Sequence, residues 1–237
     1  VYKRQAMLGE ASALIRRQLD QLQAHGLLQD AAAAAARIYV ADSLQDALKG
    51  ASYIQENSPE TREVKRSLFP LLDAAAEADA IIGSSTSSIP ASEFTEDLPG
   101  RHRCLVSHPV NPPYLIPVVE LCPAPWTSAD TMARARDIML DIGQKPVSMT
   151  REIEGFILNR LQGALLHEAF RLAAAGIASA EDIDATVKDG LGLRWSFMGP
   201  FETIDLNAPG GIADYCGRYG GLYLSLIHIS EPTRQEA

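Results

Sequence analysis

The sequence predicts an α/β fold in which a doubly wound, parallel sheet is followed by an all-helical C-terminal domain. Short apolar segments alternate with helical segments over residues 37–149, and such alternation is typical of parallel sheets with crossover helices. Only helical patterns follow Gly155. The hydrophobic fraction of 46% allows a core of ordinary size. We therefore expect an N-terminal domain over 6–152 and a helical domain over 153–223.

In the N-terminal domain, helical spacing of apolar residues predicts a first helix over 6–26, ended by Gly26. A helix from 58 to 78 is expected to have Ser58 as its N-cap and to be kinked or divided at Pro70. A helix over 127–143 is expected to be capped by Thr127. Strands are predicted at 37–43, 52–56, 80–83, 104–108, 116–120 and 145–149.

The C-terminal domain is predicted to contain helices only, and Ser179 with Asp182 resembles a capping box. The predicted helices are 155–175, 179–190, 199–206 and 210–217. Folds of this kind bind ligands in a cleft at the carboxyl ends of the parallel strands, so we expect the functional site there.

Composition excludes several classes of protein. The net charge of −9 and the scattered Lys and Arg residues exclude nucleic acid as a partner. No run of 18 apolar residues occurs, so we expect no membrane span. The three cysteines, Cys104, Cys122 and Cys216, match no zinc spacing and favour thiols in a reducing, cytoplasmic compartment. No signal-peptide pattern precedes the first helix.

Both terminal segments differ from the rest of the chain. "VYKRQ" at 1–5 and the segment 224–237, which includes "SLIHISEPTR", resemble translated sequencing-adapter read-through. We therefore expect both to be foreign to the natural protein, and we exclude them from functional reasoning.

Polar residues collect where the predicted strands end. Taken singly, each has a structural explanation, since a Ser/Thr cluster commonly caps a helix and a lone His is commonly a satisfied core residue. Taken together, they form a candidate site that consists of Glu56, Ser84 to Ser88, His108, Asn111, Glu120 and the helical Asn159.

The segment "SHPVNPPYLIPVVE" (107–120) places a carboxylate twelve residues after a histidine, within a frame of four prolines. Histidine suits the role of a base near neutral pH, and a carboxylate on its second ring nitrogen would fix the tautomer. Prolines reduce the entropy of the connecting loop, so the geometry would be preset. A metal hydrolase using His108 and Glu120 is a weaker alternative, because no third ligand lies at a suitable spacing.

In their order along the chain, "ENSPE", "GSSTSS", "SHPVNPPYLIPVVE", "GFILNRL" and "MGPFETID" resemble the 3-hydroxyacyl-CoA dehydrogenase family. The resemblance covers residues 6–223 and is greatest to the lambda-crystallin, or L-gulonate 3-dehydrogenase, branch. It implies a Rossmann-type sheet, NAD as cofactor and oxidation of a 3-hydroxyl group to a ketone.

The resemblance also implies roles for individual residues. His108 matches the catalytic histidine, and Glu120 matches its paired carboxylate. Ser87 and Asn159 match the residues that contact the substrate oxygen. The positions implied to lie near the cofactor are Glu56, Asn57, Ser87 and Asn111.

The substrate is open at this stage. Arg194, beside Trp195, could grip the carboxylate of a free hydroxy acid such as L-gulonate, although a surface salt bridge is as good an explanation. The alternatives are a 3-hydroxyacyl-CoA substrate of fatty-acid metabolism and a crystallin-like structural role without chemistry. The resemblance implies that the full-length parent is a homodimer.

The family's G-x-G-x-x-G turn and its ribose-binding acidic residue have no counterpart in the chain. The family comparison puts both before Ala6, together with the first strands of the sheet. An incomplete sheet exposes strand edges, so we expect the 237-residue polypeptide to be unstable, inactive and poor at binding dinucleotide.

Overall fold

The structure, a computed structural model, describes residues 2–229, with 10–222 described at the level of burial. The chain forms two compact units, Val1–Arg160 and Leu161–Ala237. Of the segments expected to be foreign, residue 1 and residues 230–237 lie outside the described residues.

The first unit combines helices with five strands. Its helices are α1 (Tyr2–Ala24), α2 (Ala31–Ala35), α3 (Leu44–Leu48), α4 (Arg62–Ala75), α5 (Ser92–Thr95) and α6 (Ala129–Asp141), together with the start of α7 (Leu158–Ala174). Its strands are β1 (Tyr53–Glu56), β2 (Ile81–Ser84), β3 (Cys104–Pro109), β4 (Val118–Pro123) and β5 (Lys145–Ser148).

The strands form one sheet in the order β1-β2-β3-β4-β5. The predicted α/β class is confirmed, and three of the four pairs are parallel. The exception is β3–β4, which is antiparallel, so the predicted parallel sheet is a mixed one. Only residues 110–117 join these two strands, and a parallel crossover needs a dozen or more residues.

Each face of the sheet is covered by helices. On one face, Ile82 and Val106 pack with Phe69 of α4 and Phe94 of α5. On the other face, Leu105 and Leu121 pack with residues of α6. Because side chains alternate along a strand, strands β1 to β4 supply residues to both cores.

The predicted strand at 37–43 is absent. Ile38, Tyr39 and Val40 lie outside regular structure and are 50%, 78% and 50% exposed. Their side chains fit a strand, but strand preference expresses packing against neighbours. Within the described sheet, β1 is an edge strand and nothing pairs with residues 37–43.

Two predicted helix caps were wrong, and both for tertiary reasons. Helix α4 begins at Arg62 with Thr61 as its N-cap, because the hydroxyl and amide of Ser58 donate to the buried carboxylate of Glu56. Helix α6 is capped by Ser128, because the hydroxyl of Thr127 donates to the carbonyl of Cys104.

Pro70 does not divide α4, which continues from Arg62 to Ala75. Proline removes one backbone hydrogen bond from a helix, but Pro70 is exposed, so water can satisfy the freed carbonyl group.

Within its described part, the second unit consists of helices joined by turns and contains no strand. Ser179 caps α8 by accepting a hydrogen bond from the amide of Asp182, as the sequence predicts. The elements are the rest of α7, α8 (Ala180–Ala185), a π-helical segment (Thr186–Gly192), α9 (Leu193–Trp195), α10 (Pro200–Leu206) and α11 (Gly211–Ile229). None of the helices in residues 2–229 is long and apolar enough to cross a membrane.

A buried ion pair joins the end of α4 to the start of β3. The guanidinium of Arg103 lies 2.7 Å from Asp73 Oδ1 and also donates to the Asp73, Glu77 and Ala80 carbonyls. Both side chains of the ion pair are only 7% exposed. The planar fork of arginine makes these bonds simultaneously, which an ammonium group cannot do.

Arg103→Lys is therefore expected to lower the free energy of unfolding by about 1.5–3 kcal/mol, since hydrogen bonds to a charged group are lost inside the protein. Urea denaturation followed by circular dichroism measures this loss. The control is Arg134→Lys, whose partner Asp130 is 77% exposed and 3.8 Å away, and it should change stability by less than about 1 kcal/mol. Equal losses in the two variants would contradict the importance of the buried pair.

Candidate active site

His108 and Glu120 face each other across the β3–β4 pair. They are register partners in this antiparallel pair, and His108 Nδ1 lies 2.8 Å from Glu120 Oε2. Their residues are 4% and 2% exposed. The proline-rich connection between the strands folds back so that Val110 donates its amide hydrogen to the carbonyl of Val118. A pair twelve residues apart is thereby held on two rigid, adjacent strands.

The second oxygen of Glu120 is also engaged. Glu120 Oε1 accepts hydrogen bonds of 2.8 Å from the amides of Ile157 and Leu158, at the start of α7. Burial opposes ionisation of Glu120, but the bonds from His108 and from these two amides outweigh it and hold its pKa below the ordinary 4.5. The N-terminus of a helix favours negative charge, which acts in the same direction.

An ionised Glu120 fixes the tautomer of His108. A carboxylate only accepts hydrogen bonds, so the hydrogen between the two side chains belongs to His108 Nδ1. In the neutral imidazole, Nε2 then keeps its lone pair. The arrangement can therefore accept a proton at Nε2 and stabilise the resulting imidazolium.

A strained turn presents the two amides to Glu120. Phe156 has φ of +49°, which is a genuine outlier for a bulky residue, and Gly155 before it has φ of +75°. The Phe156 ring is fully buried, with its centroid 5.7 Å from that of His108. Such strain persists where surrounding contacts determine the conformation, and it clusters at functional sites.

Asn159 and Ser87 are also in contact. The Asn159 side-chain amide donates a 2.7 Å hydrogen bond to the backbone carbonyl of Ser87, and not to its hydroxyl. Ser87 is exposed. One of the two Asn159 amide hydrogens is used in this bond.

Glu60, which the sequence interpretation missed, organises the Ser/Thr turn after β2. One of its carboxylate oxygens accepts hydrogen bonds from the hydroxyls of Thr86 and Ser88 and from the amides of Ser87 and Ser88. Burial opposes its ionisation, but these bonds and the nearby charge of Lys65 hold the pKa of Glu60 below 4.5.

Lys65 was also missed. Its ammonium group is fully buried and lies 2.9 Å from Glu56 Oε2, 3.3 Å from Ser84 Oγ and 3.7 Å from Glu60 Oε2. Lys65 shares the buried stripe of α4 with Phe69 and Leu72, at helical spacings of four and seven residues. A lysine on the apolar stripe of a helix was the signal that could have revealed it.

The carboxylate of Glu56 is engaged within the protein. It accepts from Lys65 and Ser84 on one oxygen and from the amide and hydroxyl of Ser58 on the other. Asn57 is exposed and donates to the Gln55 carbonyl. Asn111 is exposed in the β3–β4 connection, where it forms a cis peptide bond with Pro112.

Arg194 lies in the second unit, in α9, and is exposed. It is therefore not one of the groups that the first unit brings together. Among the residues described, no group of three or more His, Cys, Asp and Glu side chains could hold a metal ion.

Comparison with known proteins decides the family. The sequence model of the 3-hydroxyacyl-CoA dehydrogenase NAD-binding domain matches residues 1–153, and that of the C-terminal domain matches residues 155–224. The chain belongs to the 3-hydroxyacyl-CoA dehydrogenase family. The predicted family is thus confirmed, and NAD is its cofactor.

The chain is also similar in sequence to individual known proteins. The chain is 42% identical over 214 residues to the lambda-crystallin homolog of Bos taurus, covering 89% of the chain and 66% of that protein. It is 38% identical over 208 residues to L-carnitine dehydrogenase of a Pseudomonas species, covering 87% and 65%. Among solved structures, (S)-3-hydroxybutyryl-CoA dehydrogenase from Ralstonia eutropha is 28% identical with a TM-score of 0.72, covering 94% and 76%. The chain thus spans about two thirds of these curated relatives' length.

The described residues fit one end of the family's NAD cofactor. Of the four predicted cofactor residues, Ser87, Asn57 and Asn111 expose their side chains at the same end of the sheet as His108, whereas the Glu56 carboxylate is engaged by Lys65, Ser84 and Ser58. None of the described strands is followed by a G-x-G-x-x-G turn. The exposed polar side chains at this end of the sheet are therefore available to a bound cofactor.

Proposed function

We propose that this protein is an NAD-dependent oxidoreductase that oxidises the 3-hydroxyl group of a free, L-gulonate-like hydroxy acid to a ketone. The observation that carries the proposal is the buried hydrogen bond of 2.8 Å between His108 Nδ1 and an ionised Glu120. It leaves His108 Nε2 as a base, which is what removal of the hydroxyl proton requires.

In this proposal, each residue of the site has a separate role in the oxidation. Bound NAD supplies the acceptor for the hydride. His108 takes the proton of the hydroxyl group at Nε2, and Glu120 stabilises the imidazolium that results. Ser87 donates its hydroxyl hydrogen to the reacting oxygen. Asn159 fixes the Ser87 turn through one amide hydrogen and offers the other to the same oxygen, where charge develops.

We assign Asn57, Ser87 and Asn111 to the nicotinamide end of the cofactor because they are exposed polar residues at this end of the sheet. Glu56 is assigned an indirect role. Its carboxylate, held by Lys65, fixes Ser84, the last residue of β2 before the Ser/Thr turn.

Arg194 is proposed to bind the substrate carboxylate, since a guanidinium matches a carboxylate with two parallel hydrogen bonds. The similarity to L-carnitine dehydrogenase supports a small hydroxy acid. The second candidate is a 3-hydroxyacyl-CoA substrate, and the similarity to the Ralstonia eutropha 3-hydroxybutyryl-CoA dehydrogenase favours it.

The two substrates are distinguished by steady-state kinetics of the full-length gene product. We expect oxidation of L-gulonate with NAD to exceed reduction of acetoacetyl-CoA with NADH in kcat/KM by about tenfold or more. Arg194→Met should raise the KM for L-gulonate by about tenfold with little change in kcat, because a charged hydrogen bond is lost. The control is Lys188→Met, since Lys188 is exposed beside Asp189. Preference for acetoacetyl-CoA would establish the second candidate, and turnover of neither would favour a crystallin-like structural role.

We further propose that the protein is cytoplasmic and homodimeric. The cysteines Cys104 and Cys122 are buried free thiols, and burial raises their pKa values to about 12. Such thiols are unreactive, which suits a reducing compartment. The dimer is proposed from the family relationship alone.

A further inference from the structure

A chain of hydrogen bonds crosses the sheet on the face opposite the buried Glu56–Lys65 pair. The hydroxyl of Tyr53 donates to Gln55 Oε1 at 2.7 Å, and Gln55 Nε2 donates to the backbone carbonyl of Ser107 at 2.9 Å. Tyr53 and Gln55 belong to β1, whereas Ser107 belongs to β3 and immediately precedes His108. The side chain of Gln55 thus spans β2, which lies between them.

The crossing depends on Gly83 of β2. A Cβ atom at this position would lie 2.4 Å from the Tyr53 hydroxyl oxygen and 3.0 Å from Ser107 Cβ, closer than atoms can approach without displacement. The absence of a side chain at Gly83 therefore leaves room for the hydrogen bonds. Glycine weakens a strand interior, so its use here indicates a close approach.

The direction of the Gln55 amide is set by Tyr53. Burial raises the pKa of Tyr53 to about 12, so its hydroxyl remains a hydrogen-bond donor at neutral pH. A donor at Oε1 holds the oxygen of the Gln55 amide toward Tyr53 and turns the NH₂ group toward Ser107. Without Tyr53 the amide could rotate and present its oxygen to another oxygen.

The carbonyl of Ser107 lies just beyond the last residue pair between β2 and β3. The register between β2 and β3 ends at Ser84 and Val106, one residue before Ser107. From there to His108, the Gln55 amide is a group of β1 that holds the strand, through the Ser107 carbonyl. The Tyr53 hydroxyl and Ser107 Cβ both border the Gly83 position, so the two residues that act on the Ser107 peptide come from β1.

We propose that Gln55, oriented by Tyr53, is a positioning residue that holds the Ser107–His108 peptide so that the imidazole meets Glu120. This inference rests on the base role of His108 in the proposed function. The described hydrogen bonds of the Gln55 side chain are those with the Tyr53 hydroxyl and the Ser107 carbonyl. Gln55 therefore affects the orientation of the His108 imidazole and takes no direct part in the proton transfer.

The test combines imidazole ¹⁵N NMR of the full-length gene product, labelled at histidine, with steady-state kinetics of the same protein. In Gln55→Leu, the His108 signals should move from those of the Nδ1–H tautomer toward those of a mixture of the two neutral tautomers. The reason is that the hydrogen bond from Nδ1 to Glu120 loses its favourable geometry. The kcat should fall by about tenfold with KM little changed, since small misplacements of a catalytic group are costly. Tyr53→Phe should act in the same direction, and the double variant should resemble Gln55→Leu, because both residues act through one path.

The matched control is Gln144→Leu. Gln144 is also a glutamine that donates to a backbone carbonyl, that of Pro113 in the β3–β4 connection, at the longer distance of 3.4 Å and five residues after His108. Its replacement should leave the His108 signals unchanged. Gly83→Ala should cause the same change in the His108 signals as Gln55→Leu, since the new methyl group displaces Tyr53.

Unchanged His108 signals in Gln55→Leu, or the same change in Gln144→Leu, would overturn the positioning role. Failure of the proposed function has a different signature, because the NMR signals report the position of His108 whether or not the protein turns over. If His108→Gln retained full turnover while Gln55→Leu still moved the imidazole signals, the base role would fall and the positioning of the ring would stand.

Discussion

Replacement of His108 by glutamine is expected to reduce kcat at least about a hundredfold, because the loss of a positioned general base costs a factor in this range. The KM for the hydroxy acid should change little, since the hydrogen bonds from Ser87 and Asn159 to the reacting oxygen are retained in the proposed site. Steady-state kinetics of the full-length gene product at neutral pH measures both quantities.

Glu120→Gln should be comparably slow for a different reason. The carboxamide can still accept hydrogen bonds from Ile157 and Leu158 through its oxygen, and it then presents NH₂ to His108 Nδ1. His108 must accept that hydrogen bond, so its own hydrogen moves to Nε2, where the lone pair is needed. Glu120→Gln is therefore expected to keep the fold intact but to hold His108 in the wrong tautomer, which lowers kcat at least about a hundredfold.

The control for both variants is His102→Gln. His102 is an exposed histidine just before β3, and its described hydrogen bonds are those accepted by its backbone carbonyl. Its replacement should leave kcat within about twofold of the original. Near-normal turnover in His108→Gln or Glu120→Gln would contradict the proposed mechanism.

The sequence indicated the His108–Glu120 pair because the determinants of its strand register are local. A strand, a short proline-rich connection and a second strand occupy "SHPVNPPYLIPVVE", and a connection of this length permits only an antiparallel return. Side chains on antiparallel strands that are direct partners lie close together. The hydrogen bond therefore follows from the spacing once the register is fixed.

Features that depend on burial and on neighbouring elements were not predictable in the same way. Ser58-Pro59 has the pattern of a helix start, yet the buried Glu56 captures Ser58 and moves the start of α4 to Arg62. The segment 37–43 has the composition of a strand, but strand formation requires a neighbour, and none is present within the described residues. In both places the outcome depends on packing that no local pattern encodes.

The buried Lys65–Glu56 pair leads to the second large expected effect. Both side chains are 1% exposed, and the two groups share a network with Ser84. Lys65→Met leaves the Glu56 carboxylate buried without its cation, and breaking a buried pair in this way costs about 3–5 kcal/mol. Urea denaturation at pH 7 should show a loss of this size. Lys49→Met, which removes an exposed lysine, should change stability by less than about 0.5 kcal/mol.

The pH dependence of the unfolding free energy distinguishes loss of the Lys65 charge beside Glu56 from a simple packing defect. Burial opposes ionisation of Glu56, but hydrogen bonds from Ser58, Ser84 and Lys65 outweigh it and place its pKa below the ordinary 4.5. A carboxylate with a lowered pKa stabilises the fold above its unfolded-state pKa and loses that contribution as pH falls through the folded-state pKa. In the original protein, this part of the stability is therefore complete at pH 7 and lost in acid.

Lys65→Met should raise the pKa of Glu56. A buried carboxylate that has lost its cation favours its protonated form, so ionisation of Glu56 contributes less to stability at pH 7 in the variant. The difference in unfolding free energy between the original protein and Lys65→Met should accordingly shrink from pH 7 toward pH 4. Denaturation curves at a series of pH values measure it. A difference independent of pH would mean that Lys65 contributes through the burial of its methylene groups, and not through the charge that holds Glu56.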